Sequence, residues 1–379
     1  MVSQSPRSSQ KAEAAFSAKL RFYWLDLLRF VSALAVVLGH VRGLSFVQFG
    51  DLPESQKSIA VMIFFALTRL GHEAVIVFFV LSGFLVGGPN LEKVRMKSFQ
   101  PASYTIDRFT RIMPPLFGAL IFTAAVQTIA GKPVNWLHFV GNLFAFQEIW
   151  VPVFGENAPL WSLSYEMWFY VLIWAVGSYV LRRFFRAIPA ALIIFIIVIF
   201  TYLDPVYFVC WLFGTFSYAY RPKKKSLGFL FVSLMVLLYG IFAFQIRSES
   251  KSISVEILTY LVPSAEFAKL LVAAGAALLI QQLVLMVPKA PAAIALDRLG
   301  AKLAVFSYTL YLIHFPAMQL AAFLFHLNPA TQLEMSSISR FLWIATSCLV
   351  CAYLMYLLFE KRTAEMRSWL KQLIAGVDI

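Results

Sequence analysis

Long apolar runs, broken by short basic clusters, recur along the whole chain. Ten of them read as membrane-spanning helices, at 22–44, 72–88, 112–130, 161–180, 187–203, 206–220, 226–245, 266–287, 303–326 and 339–359. A helix needs ~20 mostly apolar residues to cross a bilayer; 206–220 is the shortest run. A further apolar run at 59–70 is expected to form a helix packed outside the second span. The loop 131–160 holds an apolar portion, 136–150, too short to span. That portion is expected to lie at the interface or dip back into the protein.

Charge orients these segments, because Lys and Arg collect on the cytoplasmic side. With the N-terminus inside, 23 of the 32 basic residues fall on one side and eight on the other, and Arg29 lies within the first span. The expected fold is an all-α integral membrane protein, a single bundle of about ten transmembrane helices with both termini cytoplasmic. It divides into an N-terminal segment 1–21, a transmembrane domain 22–360 and a cytoplasmic tail 361–379. Residues 1–20 are polar and no small-residue cleavage site follows the first apolar run, so a retained signal-anchor is expected.

Composition agrees. The chain is 60% hydrophobic and 13% charged, whereas about a quarter of a soluble domain is charged. The net charge of +13 is not accompanied by any nucleic-acid motif, so it is assigned to cytoplasmic loops and no nucleic-acid partner is expected. Cys210, Cys348 and Cys351 sit in apolar runs without a His or acidic cluster, so they read as small buried hydrophobes and no metal site is expected.

Ionisable groups at membrane depth are costly and usually face the protein interior. The first span carries Asp26, Arg29 and His40. Arg29 and His40 are eleven residues apart, so they share a helix face with ~16 Å between them. Either they line a passage, or Arg29 snorkels beside Asp26 and His40 is interfacial. In the second span, Ser82 and Gly83 interrupt a wall of Phe and Val. They serve close helix packing or leave room for a thin acyl chain or pantetheine arm. His72 and Glu73 at its outer end read by default as a solvated loop. Arg108 and Arg111, one turn apart at the mouth of the third span before Pro114 and Pro115, either fix orientation or present planar donor forks to phosphate oxygens. Glu166 lies just inside Trp161, amid Tyr165 and Trp168, at a depth similar to His40. Two titratable groups on separate helices suit acid–base work. The aromatic residues around it read as an interfacial belt or as a stacking surface for sugars. In the ninth span Ser307, Tyr311 and His314 share a face. Pro316 is expected to kink the helix just after His314, which is either structural or functional.

Five stretches, LDLLRFVSALAVVLGH at 25–40, FFVLSGFL at 78–85, RFTRIMPP at 108–115, LWSLSYEMWFY at 160–170 and FSYTLYLIHFP at 306–316, resemble in order the membrane acyltransferase-3 family. The members in view acylate bacterial surface polysaccharides, O-antigens, exopolysaccharides and Nod factors. The family pattern of a basic residue, ten others and His falls on Arg29 and His40. Its paired-arginine motif falls on Arg108 and Arg111, and its Trp-Ser-x-x-x-Glu element on Trp161, Ser162 and Glu166. The resemblance implies a multi-pass O-acyltransferase of the bacterial inner membrane. It would move an acyl group, most simply acetyl, from cytoplasmic acyl-CoA to a hydroxyl of a cell-surface or lipid-linked glycan. It also implies roles. Arg108 and Arg111 hold CoA phosphates, with Arg29 and Ser82 along the donor route. His40 is the general base, or carries the acyl group, and Glu166 orients or charges its imidazole. Trp161, Ser162, Tyr165, Tyr311 and His314 support the acceptor side. Acyl-CoA is a co-substrate, no permanently bound cofactor or metal is needed, and the partners are acyl-CoA, the glycan and membrane lipids. Because the chain stops soon after its last span, the extra periplasmic esterase-like domain of some members is expected to be absent. The alternatives are a small cytoplasmic acceptor or a transporter; the absence of an internal repeat counts against the latter.

Overall fold

The computed structural model describes residues 22–182, 185–248, 262–330 and 332–375. The expected N-terminal segment 1–21 lies outside them. Among the described residues the chain is helical and forms no β-strand.

The helices are α1 (Leu25–Ser45), α2 (Ile59–Leu67) and α3 (Gly71–Ser82), which runs through a π-helical turn, Gly83–Gly87, into α4 (Gly88–Arg95). Then come α5 (Pro101–Ile129), α6 (Trp136–Leu143), α7 (Trp161–Leu181), α8 (Ala187–Phe200) and α9 (Pro205–Ala219). The rest are α10 (Leu227–Ser248), α11 (Ala265–Leu283), α12 (Pro291–Ala304), α13 (Ser307–Leu324), α14 (Met335–Phe359) and α15 (Thr363–Ala375). Each of the ten predicted segments coincides with one of these. Among the described residues, six helical stretches can cross a membrane by length and composition, or seven with α12 and α13 counted as one bent span. The protein is an all-α membrane-type bundle.

Three boundaries differ from expectation. The third span begins at Pro101, not near residue 112. Proline occupies the first turn after an extended Gln100, where its missing N–H costs nothing. Arg108 and Arg111 therefore stand inside a helix, Arg111 ~15 Å from its start. Second, α13 runs unbroken through Pro316, and the sharp bend, 57°, lies between α12 and α13. Third, a basic helix, α15, follows the last span.

The continuity of α13 past Pro316 has a local cause. Pro316 lacks an N–H, so the carbonyl of Leu312 four residues earlier loses its helical partner. Asn157 Nδ2 donates to that carbonyl at 3.0 Å. Asn157 comes from the loop after α6 and is itself buried. Irregular backbone at such depth is tolerated only where the protein supplies its hydrogen bonds. Asn142 donates to Pro152 O and accepts from Phe154 N, Gln147 donates to Leu160 O, and Trp168 Nε1 donates to Ala145 O.

Helices α1 and α13 run in the same direction. Phe30 meets Phe306, His40 meets His314, and Phe46 pairs with Ala330. Helices α3 and α9 pack backbone to backbone: a Cβ on Gly83 would sit 2.0 Å from Trp211 O, and one on Gly214 1.9 Å from Val80 O. Gly83 is thus a packing glycine.

Contacts sort the polar residues to two ends. At one end Arg221 lies over the Phe22 ring, Trp24 Nε1 donates to Met286 O, Tyr218 donates to Glu92, and Lys371 pairs with Asp107. At the other, Ala330 N donates to Ser45 O, Leu333 N to Gln56 and Arg340 to Ser45 O. The first, here the basic end, holds Arg221 and Lys371, from two of the clusters that the charge pattern put inside.

Candidate active site

A cavity of about 550 Å³ runs between α1, α3, α5, α7 and α13. At the basic end Asp26, Arg29, Ala301 and Arg367 line it. Its middle is walled by Ser82, Arg108, Arg111, Tyr170 and Tyr308, and Ser162, Glu166, Phe78 and Tyr311 also line it. Of the residues singled out in the sequence, Arg29, Ser82, Arg108, Arg111, Ser162, Glu166 and Tyr311 line this one space.

Four guanidiniums share it, each held differently. Arg29 pairs with Asp26 at 3.2 Å, one turn back on α1. Arg111 pairs with Glu360, just beyond α14, and lies over the Tyr308 ring. Glu360 is buried, and its other oxygen accepts from Thr309 Oγ1 at 2.5 Å. Arg108 lies over the Tyr170 ring at 5.5 Å, and its buried Nε has no hydrogen-bond partner among the described residues. Arg367, on α15, reaches Thr110 Oγ1 at 3.3 Å and Asp107 at 3.7 Å. Half-exposed guanidiniums whose forks are only partly used can still bind phosphate oxygens bidentately.

Hydroxyl groups set the polarity beyond the arginines. Tyr170 spends its one proton on the Glu166 carboxylate, so Ser82 Oγ, 3.0 Å from Tyr170 OH, is the donor in that pair. Ser162 Oγ and Tyr311 OH are hydrogen-bonded at 2.7 Å, and both reach Pro159 O, at 3.3 and 3.0 Å. Ser162 thus ties the start of α7 to α13.

His40 does not line the cavity. It lies half-buried on α1 against α13, its ring centre 5.4 Å from that of His314 and 5.2 Å from Phe315. His314 is fully buried, one turn past Tyr311 on α13. The expected contact between His40 and Glu166 is not formed. Glu166 faces Tyr170 and couples electrostatically to Arg29, while His40 faces the other histidine.

Trp161 and Tyr165 also face away from the cavity. Trp161 stacks on His72 at 5.9 Å and 19°, so one face expected for a sugar is taken by the protein's own ring. Tyr165 OH accepts from Asp204 N at 3.0 Å. His72 is exposed, but it stands on the first turn of α3 and not in a loop, and its Nε2 bonds Tyr207 OH at 2.8 Å. Glu73 is buried.

Sequence reasoning passed over Glu360, Arg367, Tyr170 and Tyr308. One signal was present: Glu360 is an acidic residue directly at the end of the last apolar run. Among the described residues no group of three or more His, Cys, Asp or Glu is placed to hold a metal ion.

No solved structure matches the chain. Acyltransferase MdmB of Streptomyces mycarofaciens is 34% identical over 154 residues, 38% of this chain and 36% of that protein, so the match spans about a third of the relative's length. The family model described as acyltransferase domain matches residues 22–357. That range contains the cavity, its arginines other than Arg367, and both histidines, and over it the chain belongs to this family of membrane acyltransferases.

Proposed function

We propose that the protein transfers an acyl group, most simply acetyl, from acyl-CoA at the cytoplasmic side to a hydroxyl of a cell-surface or lipid-linked glycan at the opposite side. The observation that carries this reading is one cavity lined by four arginines and by Tyr311, whose ring neighbours His314 of a histidine pair with His40. The basic end is read as cytoplasmic, in a bacterial inner membrane.

In this reading the donor's phosphates rest on Arg108 and Arg111, with Arg29 and Arg367 nearer the mouth. The pantetheine arm passes Ser82 and brings the thioester toward Tyr311. Tyr170 and Glu166 form one hydrogen-bonded unit beside the arm, and the Glu166 carboxylate balances the cations. The acceptor hydroxyl comes from the far side to His40. His40 takes its proton as the oxygen attacks the thioester carbon. The C–O bond forms, the C–S bond breaks, and the departing thiolate takes the proton from the imidazolium. Protein groups then return to their starting state.

The test compares ester content of surface glycan from cells with and without the gene. Loss of one ester class on deletion, restored by the wild-type gene, is the expected result. Unchanged glycan, with a small acylated product in the cytoplasm instead, would move the acceptor to the other side.

A further inference from the structure

His314 is fully buried and has one nitrogen accounted for. Its Nδ1 lies 3.0 Å from Leu310 O. A carbonyl oxygen only accepts, so Nδ1 carries the proton, and a neutral ring must then present a bare lone pair at Nε2. That Nε2 is buried and has no hydrogen-bond partner among the described residues. A buried polar atom without a partner is costly and calls for a reason. The imidazole packed against it is that of His40. An imidazole nitrogen lies ~1.1 Å from its ring centre, so at 5.4 Å between centres two nitrogens turned toward each other would stand ~3.2 Å apart, inside hydrogen-bond range; the rings as placed do not make that bond, and a turn of the His40 ring would close it. The parallel course of α1 and α13, pinned at Phe30 with Phe306 and at Phe46 with Ala330, holds the two rings at this level. Phe315 packs edge-on against His40 and limits its swing.

We propose that His314 is the positioning residue for His40. Its Nε2 accepts the N–H of the His40 ring, which fixes the tautomer and leaves the opposite nitrogen unprotonated for the acceptor hydroxyl. When His40 takes the proton, the same acceptor steadies the imidazolium. This is the orienting task that a carboxylate performs in a Ser-His-Asp triad, here given to a second histidine. It rests on the reading of His40 as the base.

The test uses two variants of similar volume, of which only one can accept a hydrogen bond. His314→Gln and His314→Met are expressed in cells bearing the glycan, and transfer of labelled acetyl from acetyl-CoA into glycan is followed in their membrane vesicles. The expected result is a fall in kcat of ~10²-fold for Met, the lower end of a general base's worth, with KM for acetyl-CoA unchanged and with Gln at least ~10-fold faster than Met. Equal turnover of the two at equal protein levels would overturn the proposal. Should neither accumulate, ¹⁵N-histidine spectra of the wild-type protein decide. His40, identified by the signal lost in His40→Ala, is expected in a single neutral tautomer with a hydrogen-bonded N–H; averaging between tautomers overturns the assignment. Full activity of His314→Met beside an inactive His40→Ala would remove this proposal alone. Full activity of His40→Ala would remove the base with it.

Discussion

Arg108 and Arg111 are one turn apart yet differ in how much of each guanidinium is already used. Arg111 is tied to Glu360 and covers Tyr308, while Arg108 covers Tyr170 and keeps a buried Nε without a partner. A membrane-orienting role needs only positive charge, which Lys supplies; gripping phosphate needs the planar fork, which Lys lacks. Arg108→Lys and Arg111→Lys should therefore preserve expression and weaken binding of CoA. Loss of one bidentate contact costs about 1–3 kcal/mol, roughly a 5- to 150-fold rise in Kd. Calorimetric titration of purified protein with CoA measures this, and equal affinity for both Lys variants would reduce the pair to topology. These arginines, with Arg29 and Glu166, were legible because ionisable groups stand out against apolar helices. Tyr170 and Tyr308 were not, since tyrosines also fill this core for purely apolar reasons. Glu360 and Arg367 were hidden in what reads as an ordinary basic tail. That His314 faces His40 is set by two helices far apart in the chain, and no local spacing encodes it.

The clearest lesson at the level of elements concerns α13. A proline inside a helix predicts a kink, because its N–H is missing and its ring crowds the carbonyl four residues back. Here Asn157, from the loop after α6, takes up the Leu312 carbonyl, and α13 continues to Leu324. The periodicity of α13 gave the helix; the long-range partner that keeps it whole lay in a loop that reads only as apolar. The account predicts a coupling. Asn157→Leu alone leaves the Leu312 carbonyl buried without a partner and should destabilise by ~1–3 kcal/mol. Pro316→Ala returns a backbone donor to that carbonyl, so Asn157→Leu should cost much less in the Pro316→Ala background. Thermal unfolding of the four proteins in detergent gives the cycle. Additive losses would show that the two residues do not share that carbonyl.

Across the whole molecule, Arg29 lines the cavity while His40, eleven residues further along α1, faces His314 outside that lining. The division matters only if the basic end faces the cytoplasm. Single cysteines test that orientation: one at Ser226, beside Lys223–Lys225, should resist a membrane-impermeant thiol reagent in intact cells, and one at Ser336, at the opposite end, should react. Reversed labelling would put the donor cavity on the wrong side of the membrane. The central claim, that donor binding and proton removal are carried by separate groups, is tested most directly on His40→Ala. Transfer of labelled acetyl from acetyl-CoA into glycan is measured in membrane vesicles, and CoA affinity on the same purified protein. The account predicts a fall in transfer of ~10²- to 10⁴-fold with CoA affinity unchanged. Near-normal transfer by His40→Ala would contradict it.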